Sequence, residues 1–95
     1  MKIAIIQSDL VWEKPEANRI FFEEKINAIS EAVDLIVLPE MFSTGFTMNP
    51  SAVAEKMNGV TVSWMIALAR KQNAAITGSL VIEEEGKFYN RMLFV

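Results

Sequence analysis

Short runs of apolar residues recur along the chain and predict its β-strands. The runs IAII, within residues 2–8, and LIVL, at residues 35–38, are uninterrupted, which is typical of parallel strands buried on both faces. Residues 74–84 and 88–95 have the composition of two further strands. The sequence EEGK between them contains a glycine that favours a tight turn, so we expect an antiparallel hairpin. The pattern therefore predicts a sheet of four strands.

Apolar residues at helical spacing separate these strands. The first predicted helix starts at Pro15, since a proline suits the first helical turn, and extends to about Val33. Its apolar face repeats at intervals of four, three and four residues: Phe22, Ile26, Ile29 and Val33. A second helix is predicted from Thr61 to Asn73, with Thr61 or Ser63 as its cap. The order strand, helix, strand predicts a right-handed βαβ unit.

A proline and a carboxylate directly follow the second predicted strand. Pro39 has no backbone N–H, so the strand should end there and leave Glu40 at its carboxyl end. Ligands of open α/β sheets bind at that end. Gln7 closes the first predicted strand in the same way, which would place its amide at the same end of the sheet. The alternative is that both residues are ordinary polar strand ends that meet solvent.

Further expectations concern Asn18, Gly78 and the segment 47–60. Asn18 lies on the apolar face of the first predicted helix, and a buried amide needs partners, so we expect it to bind neighbouring backbone and fix the loop before the helix. Gly78, inside the third predicted strand, indicates a bulge or the close approach of another backbone. Residues 47–60 are irregular, with enough Ala, Glu and Lys for one helical turn. Such long connections are often functional, although plain surface coil is the alternative.

The composition suits a small domain with one uncovered face. The chain has 95 residues, of which 52% are hydrophobic and 22% charged. Two helices can cover one face of a four-stranded sheet, and the other apolar face needs a further layer. We therefore expect this face to meet another chain or more of the same one, and we expect a homo-oligomer formed through the exposed sheet face or the helices.

Charge and residue content exclude several kinds of function. The net charge is −3 and no stretch is strongly basic, which argues against nucleic-acid binding. The chain has neither cysteine nor histidine, so we expect no disulfide, no thiol nucleophile, no metal site and no cofactor in it. No segment approaches the roughly 18 apolar residues of a membrane span. We therefore expect a soluble, cytoplasmic protein that does not bind membranes.

Together these segments resemble the N-terminal part of the carbon–nitrogen hydrolase, or nitrilase, superfamily. The matching stretches are KIAIIQSDLVWEKPEAN, LIVLPEMFSTGF, ITGSLVI and FYNRMLFV. The sequence MFSTGFTM after Glu40 and the sequence Tyr89-Asn90-Arg91 are most similar to the omega-amidase branch, which hydrolyses the terminal amide of 2-oxo dicarboxylic acid monoamides. The resemblance implies an α/β fold, the N-terminal part of an α-β-β-α sandwich, with about four strands and two helices on one face.

The resemblance also implies a Glu-Lys-Cys triad in which Glu40 is the glutamate. As general base it would take the proton of the cysteine thiol, the sulfur would attack the amide carbon, and the lysine would stabilise the oxyanion. This chain has no cysteine, and none of its lysines lies in a matching motif. The sequence also stops inside an apolar strand. We therefore expect residues 1–95 to be the N-terminal fragment of a single carbon–nitrogen hydrolase domain, inactive alone.

Two other functions remain open at the level of the sequence. One is a short binding or regulatory module that keeps half of the sandwich without the chemistry. The other is a small nucleotide-binding α/β domain, which is weaker because Ser8-Asp9-Leu10 stands where a glycine-rich phosphate loop would follow the first strand.

Overall fold

Four strands and three helices make up the fold of residues 1–95, described here from a computed structural model. In chain order they are β1 (Ile3–Ile5), α1 (Pro15–Asn27), β2 (Leu35–Val37), α2 (Pro50–Val53), α3 (Val60–Gln72), β3 (Ala75–Glu84) and β4 (Lys87–Phe94). The four strands form one sheet in the order β1-β2-β3-β4. The first three are parallel and β4 is antiparallel to β3, so the predicted mixed α/β sheet and its hairpin are confirmed. None of the helices is long and apolar enough to cross a membrane.

One face of the sheet carries the hydrophobic core. The strand register aligns Ala4, Ile36 and Ile76 in one row across the first three strands. Because side chains alternate between the two faces, this row and its neighbours two residues along all point to the same side. Side chains of α1 and α3 pack against them there, and the core cluster includes Phe22, Ile26, Val62, Met65, Leu68, Ile36, Ile76, Leu80, Ile82 and Leu93. The two longer helices thus cover a single face, as predicted.

The opposite face of the sheet is apolar and exposed. Ile5, Val37, Thr77 and Phe94 form one row across it, and Met92 lies beside them. Ile5 is 68% exposed, and Phe94 and Met92 are each 71% exposed. The expectation of one uncovered apolar face is therefore confirmed, and β1 is not buried on both sides.

Two predicted elements are shorter than expected. Helix α1 ends at Asn27, not near Val33, and β1 covers only Ile3–Ile5. The chain must leave the helix early to enter the sheet beside β1. There Asp34 donates its N–H to the Lys2 carbonyl, while its carboxylate accepts the Lys2 N–H, both at 2.8 Å. Val33 still packs against the core, although it does so from a loop. The apolar spacing therefore correctly predicted that Val33 packs against the core, but it wrongly predicted that Val33 is helical.

Gly78 makes room for a side chain. Strand β3 continues without a bulge from Ala75 to Glu84. A Cβ added at Gly78 would lie 2.9 Å from Cδ1 of Phe42 and 3.1 Å from Cβ of Leu38. The predicted close approach is thus real, but the expected neighbouring backbone is wrong: the ring of Phe42, which is fully buried, occupies the space. The residues after Glu40 are therefore packed directly onto β3.

We expect Gly78→Ala to lower the free energy of unfolding by about 1–3 kcal/mol, because a methyl group here would push the Phe42 ring out of a well-packed site. A Gly→Ala substitution at a strand position without such a clash would instead be stabilising, because alanine lowers the conformational entropy of the unfolded chain. Urea denaturation of the chain measures the effect. The control is the same substitution in a Phe42→Leu background, where the clash is relieved and the cost should shrink. A Gly78→Ala chain as stable as the parent would contradict this packing.

Candidate functional site

Glu40 lies where the backbone leaves the sheet. Strand β2 ends at Val37, and the Leu38 N–H still donates to a β3 carbonyl at 2.8 Å. Pro39 then interrupts the pairing because it has no N–H. The side chain of Glu40 is exposed and takes part in none of the chain's ion pairs. The structure therefore places this carboxylate at the carboxyl end of a central parallel strand, open to solvent.

The turn directly after Glu40 is held by Ser79. Met41 has a φ of +50°, which is unfavourable for a residue with a side chain. Its N–H donates to the Ser79 hydroxyl oxygen at 2.8 Å, and the Phe42 N–H donates to the Ser79 carbonyl at 3.1 Å. The Met41 carbonyl in turn accepts the Gly45 N–H at 2.8 Å. Both backbone groups of the strained residue thus have partners.

We call residues 41–47 the Glu40 loop, and Asn18 is one of its attachments to the rest of the fold. Asn18 is 1% exposed. Its Oδ1 accepts the Val11 N–H at 2.9 Å, and its Nδ2 donates to the Val11 carbonyl at 2.8 Å and to the Ser43 carbonyl at 2.7 Å. The prediction that this amide binds neighbouring backbone is confirmed. It also reaches Ser43, 25 residues away, so that one side chain joins the loop after β1 to the Glu40 loop.

Residues before α1 make further contacts with the Glu40 loop. The Glu13 N–H donates to the Thr44 carbonyl at 2.7 Å, and the Thr47 hydroxyl donates to the Glu13 carboxylate. Nε1 of Trp12 donates to the Phe46 carbonyl at 2.7 Å. These contacts join residues far apart in sequence, and no local motif predicted them. Together with Asn18 they make the loops after β1 and β2 one hydrogen-bonded unit.

Glu40 lines a cavity of about 230 Å³. The Glu40 loop contributes Phe46 and Thr47 to its wall, and β4 contributes Phe88, Tyr89 and Asn90. The lining is therefore mostly apolar with a few polar residues, a composition typical of small-molecule sites. Gln7 follows β1 at the same end of the sheet, but it does not line this cavity.

Glu55 attaches the irregular segment that follows the Glu40 loop to β3. Its N–H donates to the Val81 carbonyl at 3.1 Å and its carbonyl accepts the Glu83 N–H at 2.8 Å, which joins it to β3. Its carboxylate accepts the Thr61 N–H at 2.8 Å and the Thr61 hydroxyl, and it lies 3.7 Å from the Arg19 guanidinium.

The capping prediction for α3 is therefore wrong. Neither Thr61 nor Ser63 caps the helix, which begins at Val60 after Gly59. The carboxylate of Glu55 instead accepts the N–H of Thr61 in the first helical turn, where a negative charge is stabilised by the positive end of the helix dipole. Segment 47–60 does contain one helical turn, α2, but it covers Pro50–Val53 and ends before the Glu and Lys residues where the turn was expected, because Glu55 pairs with β3 instead. No cluster of three or more acidic side chains suited to a metal ion is present.

Comparison with known proteins shows which family shares this arrangement. The family model described as "Carbon-nitrogen hydrolase" matches residues 2–95. The protein named omega-amidase YafV of Escherichia coli (strain K12) is 40% identical over 95 residues, which are 100% of this chain and 36% of the relative. The 2-oxoglutaramate amidase of Bacillus subtilis (strain 168) is 30% identical over 92 residues, covering 95% of this chain and 36% of the relative.

A solved structure has nearly the same fold over this segment. The crystal structure of XC1258 from Xanthomonas campestris, a CN-hydrolase superfamily protein, matches with a TM-score of 0.92 at 34% identity. The match covers 98% of this chain and 35% of XC1258. The chain therefore spans about a third of the length of the relatives that it matches.

We expect Asn18→Ala to lower the free energy of unfolding by about 2–4 kcal/mol, because it removes three buried or part-buried hydrogen bonds, to the Val11 N–H and to the Val11 and Ser43 carbonyls. Denaturant unfolding followed by tryptophan fluorescence measures the change. Asn27→Ala is the matched control, since Asn27 is exposed and accepts only a 3.2 Å bond from Gln72. It should shift stability by no more than about 0.5 kcal/mol. Equal effects of the two substitutions would contradict the role of Asn18.

Proposed function

The chain belongs to the carbon–nitrogen hydrolase family, and from this membership we propose that residues 1–95 are the N-terminal part of a longer hydrolase domain. The proposed reaction is hydrolysis of the terminal amide of a 2-oxo dicarboxylic acid monoamide. The names of the E. coli and B. subtilis relatives, omega-amidase and 2-oxoglutaramate amidase, support this substrate class. The apolar sheet face around Ile5 and Phe94 supports the proposed boundary, because a further layer of the same domain would cover it.

Glu40 is the proposed general base of this reaction. The observation that carries the assignment is that Glu40 is exposed and lines a cavity, whereas the backbone on both sides of it is hydrogen-bonded to β3. A general base needs this combination of a fixed position and access to the group that it deprotonates. The ordinary alternative, a glutamate at a frayed strand end, does not require the ordered and buried loop that follows Glu40.

The remaining chemistry would come from residues outside this chain. A cysteine thiol would give its proton to the Glu40 carboxylate and attack the amide carbon, and the proton would leave with ammonia. Water would then hydrolyse the thioester and regenerate the thiol. A lysine would stabilise the negatively charged oxygen of each tetrahedral intermediate. The cavity beside Glu40 would supply one apolar wall, including Phe46 and Phe88, for the carbon chain of the substrate.

We expect the reading frame in the source DNA to continue beyond codon 95 through a lysine and a later cysteine. The complete product should release ammonia from 2-oxoglutaramate, whereas the 95-residue chain should release none, because it has no thiol nucleophile. Ammonia release with time measures both. A stop codon directly after Val95, or turnover by the 95-residue chain, would overturn the proposal. The first outcome would direct attention to the exposed sheet face as a binding surface.

In the complete protein, Glu40→Gln should lower kcat by about 10²- to 10⁴-fold with little change in KM, because the amide cannot accept the thiol proton. Steady-state kinetics of ammonia release measure this change. Glu24→Gln is the matched control: Glu24 is an exposed glutamate of α1, outside the cavity, and its substitution should leave kcat unchanged. Equal activity of the two variants would exclude Glu40 as the base.

A further inference from the structure

We propose that Ser79 is a positioning residue for Glu40, one that fixes the direction of the carboxylate without touching the substrate. The inference rests on the proposed function of Glu40 as general base. Ser79 lies in the middle of β3, 39 residues after Glu40 in the sequence, and it is 3% exposed. Nothing in its local sequence marks it as functional, because a buried serine in a strand is ordinarily a packing residue.

The geometry around Glu40 gives Ser79 this role. Before Glu40, the Leu38 N–H is bonded to the β3 backbone at 2.8 Å. After Glu40, the Met41 N–H is bonded to the Ser79 hydroxyl oxygen at 2.8 Å. Pro39, between these two points, has its φ restricted by its ring. The backbone of Glu40 is therefore held from both sides by the same strand, and only the second attachment depends on a side chain.

The attachment at Met41 also holds an unfavourable conformation. Met41 adopts a φ of +50°, in the left-handed region that residues with a Cβ rarely occupy. Strained residues of this kind persist only where the surroundings determine them, and they cluster at functional sites. The Ser79 hydroxyl supplies the acceptor for the buried Met41 N–H. Without it, the chain would relax toward another φ and rotate the Glu40 side chain that immediately precedes it.

Further contacts between the Glu40 loop and β3 limit how far the loop could move. The Phe42 N–H is bonded to the Ser79 carbonyl, and the Phe42 ring packs over Gly78. These contacts do not depend on the serine side chain, so a Ser79 variant should keep the Glu40 loop on β3. The effect of losing the hydroxyl is therefore confined to the peptide between Glu40 and Met41. A misplacement of about 1 Å at a reacting group can reduce the rate by about 100-fold.

The test uses the complete protein and two measurements. Ammonia release gives kcat and KM, and hydrogen–deuterium exchange reports the protection of the Met41 amide. Ser79→Ala removes the acceptor, and we expect kcat to fall by about 10- to 100-fold with KM nearly unchanged. Met41 should lose its protection from exchange. Ser79→Thr keeps the hydroxyl oxygen, and it should recover most of the lost rate. If Ser79→Ala fails to fold, Ser79→Cys provides the same comparison, because sulfur is a weak acceptor.

Thr77→Val is the matched control. The Thr77 hydroxyl also belongs to β3, but it donates to the Leu93 carbonyl of β4 at 2.7 Å and makes no hydrogen bond with the Glu40 loop; the Thr77 carbonyl, which binds the Leu38 N–H, is kept in the variant. Its removal should leave kcat within about twofold of the parent value.

Two outcomes would overturn the inference. In the first, the Met41 amide of the Ser79→Ala enzyme exchanges freely, but the kcat of this enzyme equals that of the Thr77→Val control. The other is an equal loss of rate in the alanine and threonine variants, which would tie the loss to packing and not to the acceptor.

Glu40→Gln separates a failure of this inference from a failure of the proposed function. If that variant is inactive while Ser79→Ala is active, only the role of Ser79 is wrong, and if it stays active the base itself is misassigned.

Discussion

A buried loop must satisfy its own backbone polar groups, and this constraint organises the carboxyl end of the sheet. Residues 41–45 are buried although they belong to neither a helix nor a strand. Unpaired N–H and C=O groups in such a position would be strongly destabilising. The chain meets the requirement with Ser79, Asn18 and Glu13, which bind the loop from β3, from α1 and from the segment before α1. The exposed carboxylate of Glu40 is thereby carried by a rigid support.

This constraint also explains which parts of the site could be predicted from the sequence. The apolar runs, Pro39 and the glycine-containing turn act locally, and they predicted the strands, the end of β2 and the hairpin. Asn18 could be identified because an amide on an apolar helix face must find partners. Ser79 and Glu13 could not, because their partners lie 38 and 34 residues away, at Met41 and Thr47, and no periodicity links those positions. Long-range pairs of this kind become visible only when the sheet brings them together.

The errors in the predicted elements have a similar origin. Ile29 and Val33 continue the helical spacing of α1 and do pack against the core, but the pairing of Asp34 with Lys2 requires the chain to leave the helix first. At α3, local propensity favoured a hydroxyl cap, whereas Glu55 reaches the helix end from a segment that is itself bonded to β3. In both places tertiary pairing overrode a local preference. Burial was therefore easier to predict than the element boundaries.

The two faces of the sheet differ in what they need from the rest of the proposed longer domain. The helix-covered face buries a core and needs nothing further, so it can hold β2 and β3 in register. The face carrying Ile5, Met92 and Phe94 is exposed, and Asn90 and Val81 on the same face line the cavity beside Glu40. A layer that covered these apolar residues would also close that cavity and exclude water from it. In the proposed longer domain, burial of the second face and completion of the site would then be one event, so that Glu40, the proposed base, would become effective only together with the proposed nucleophile and oxyanion-stabilising charge.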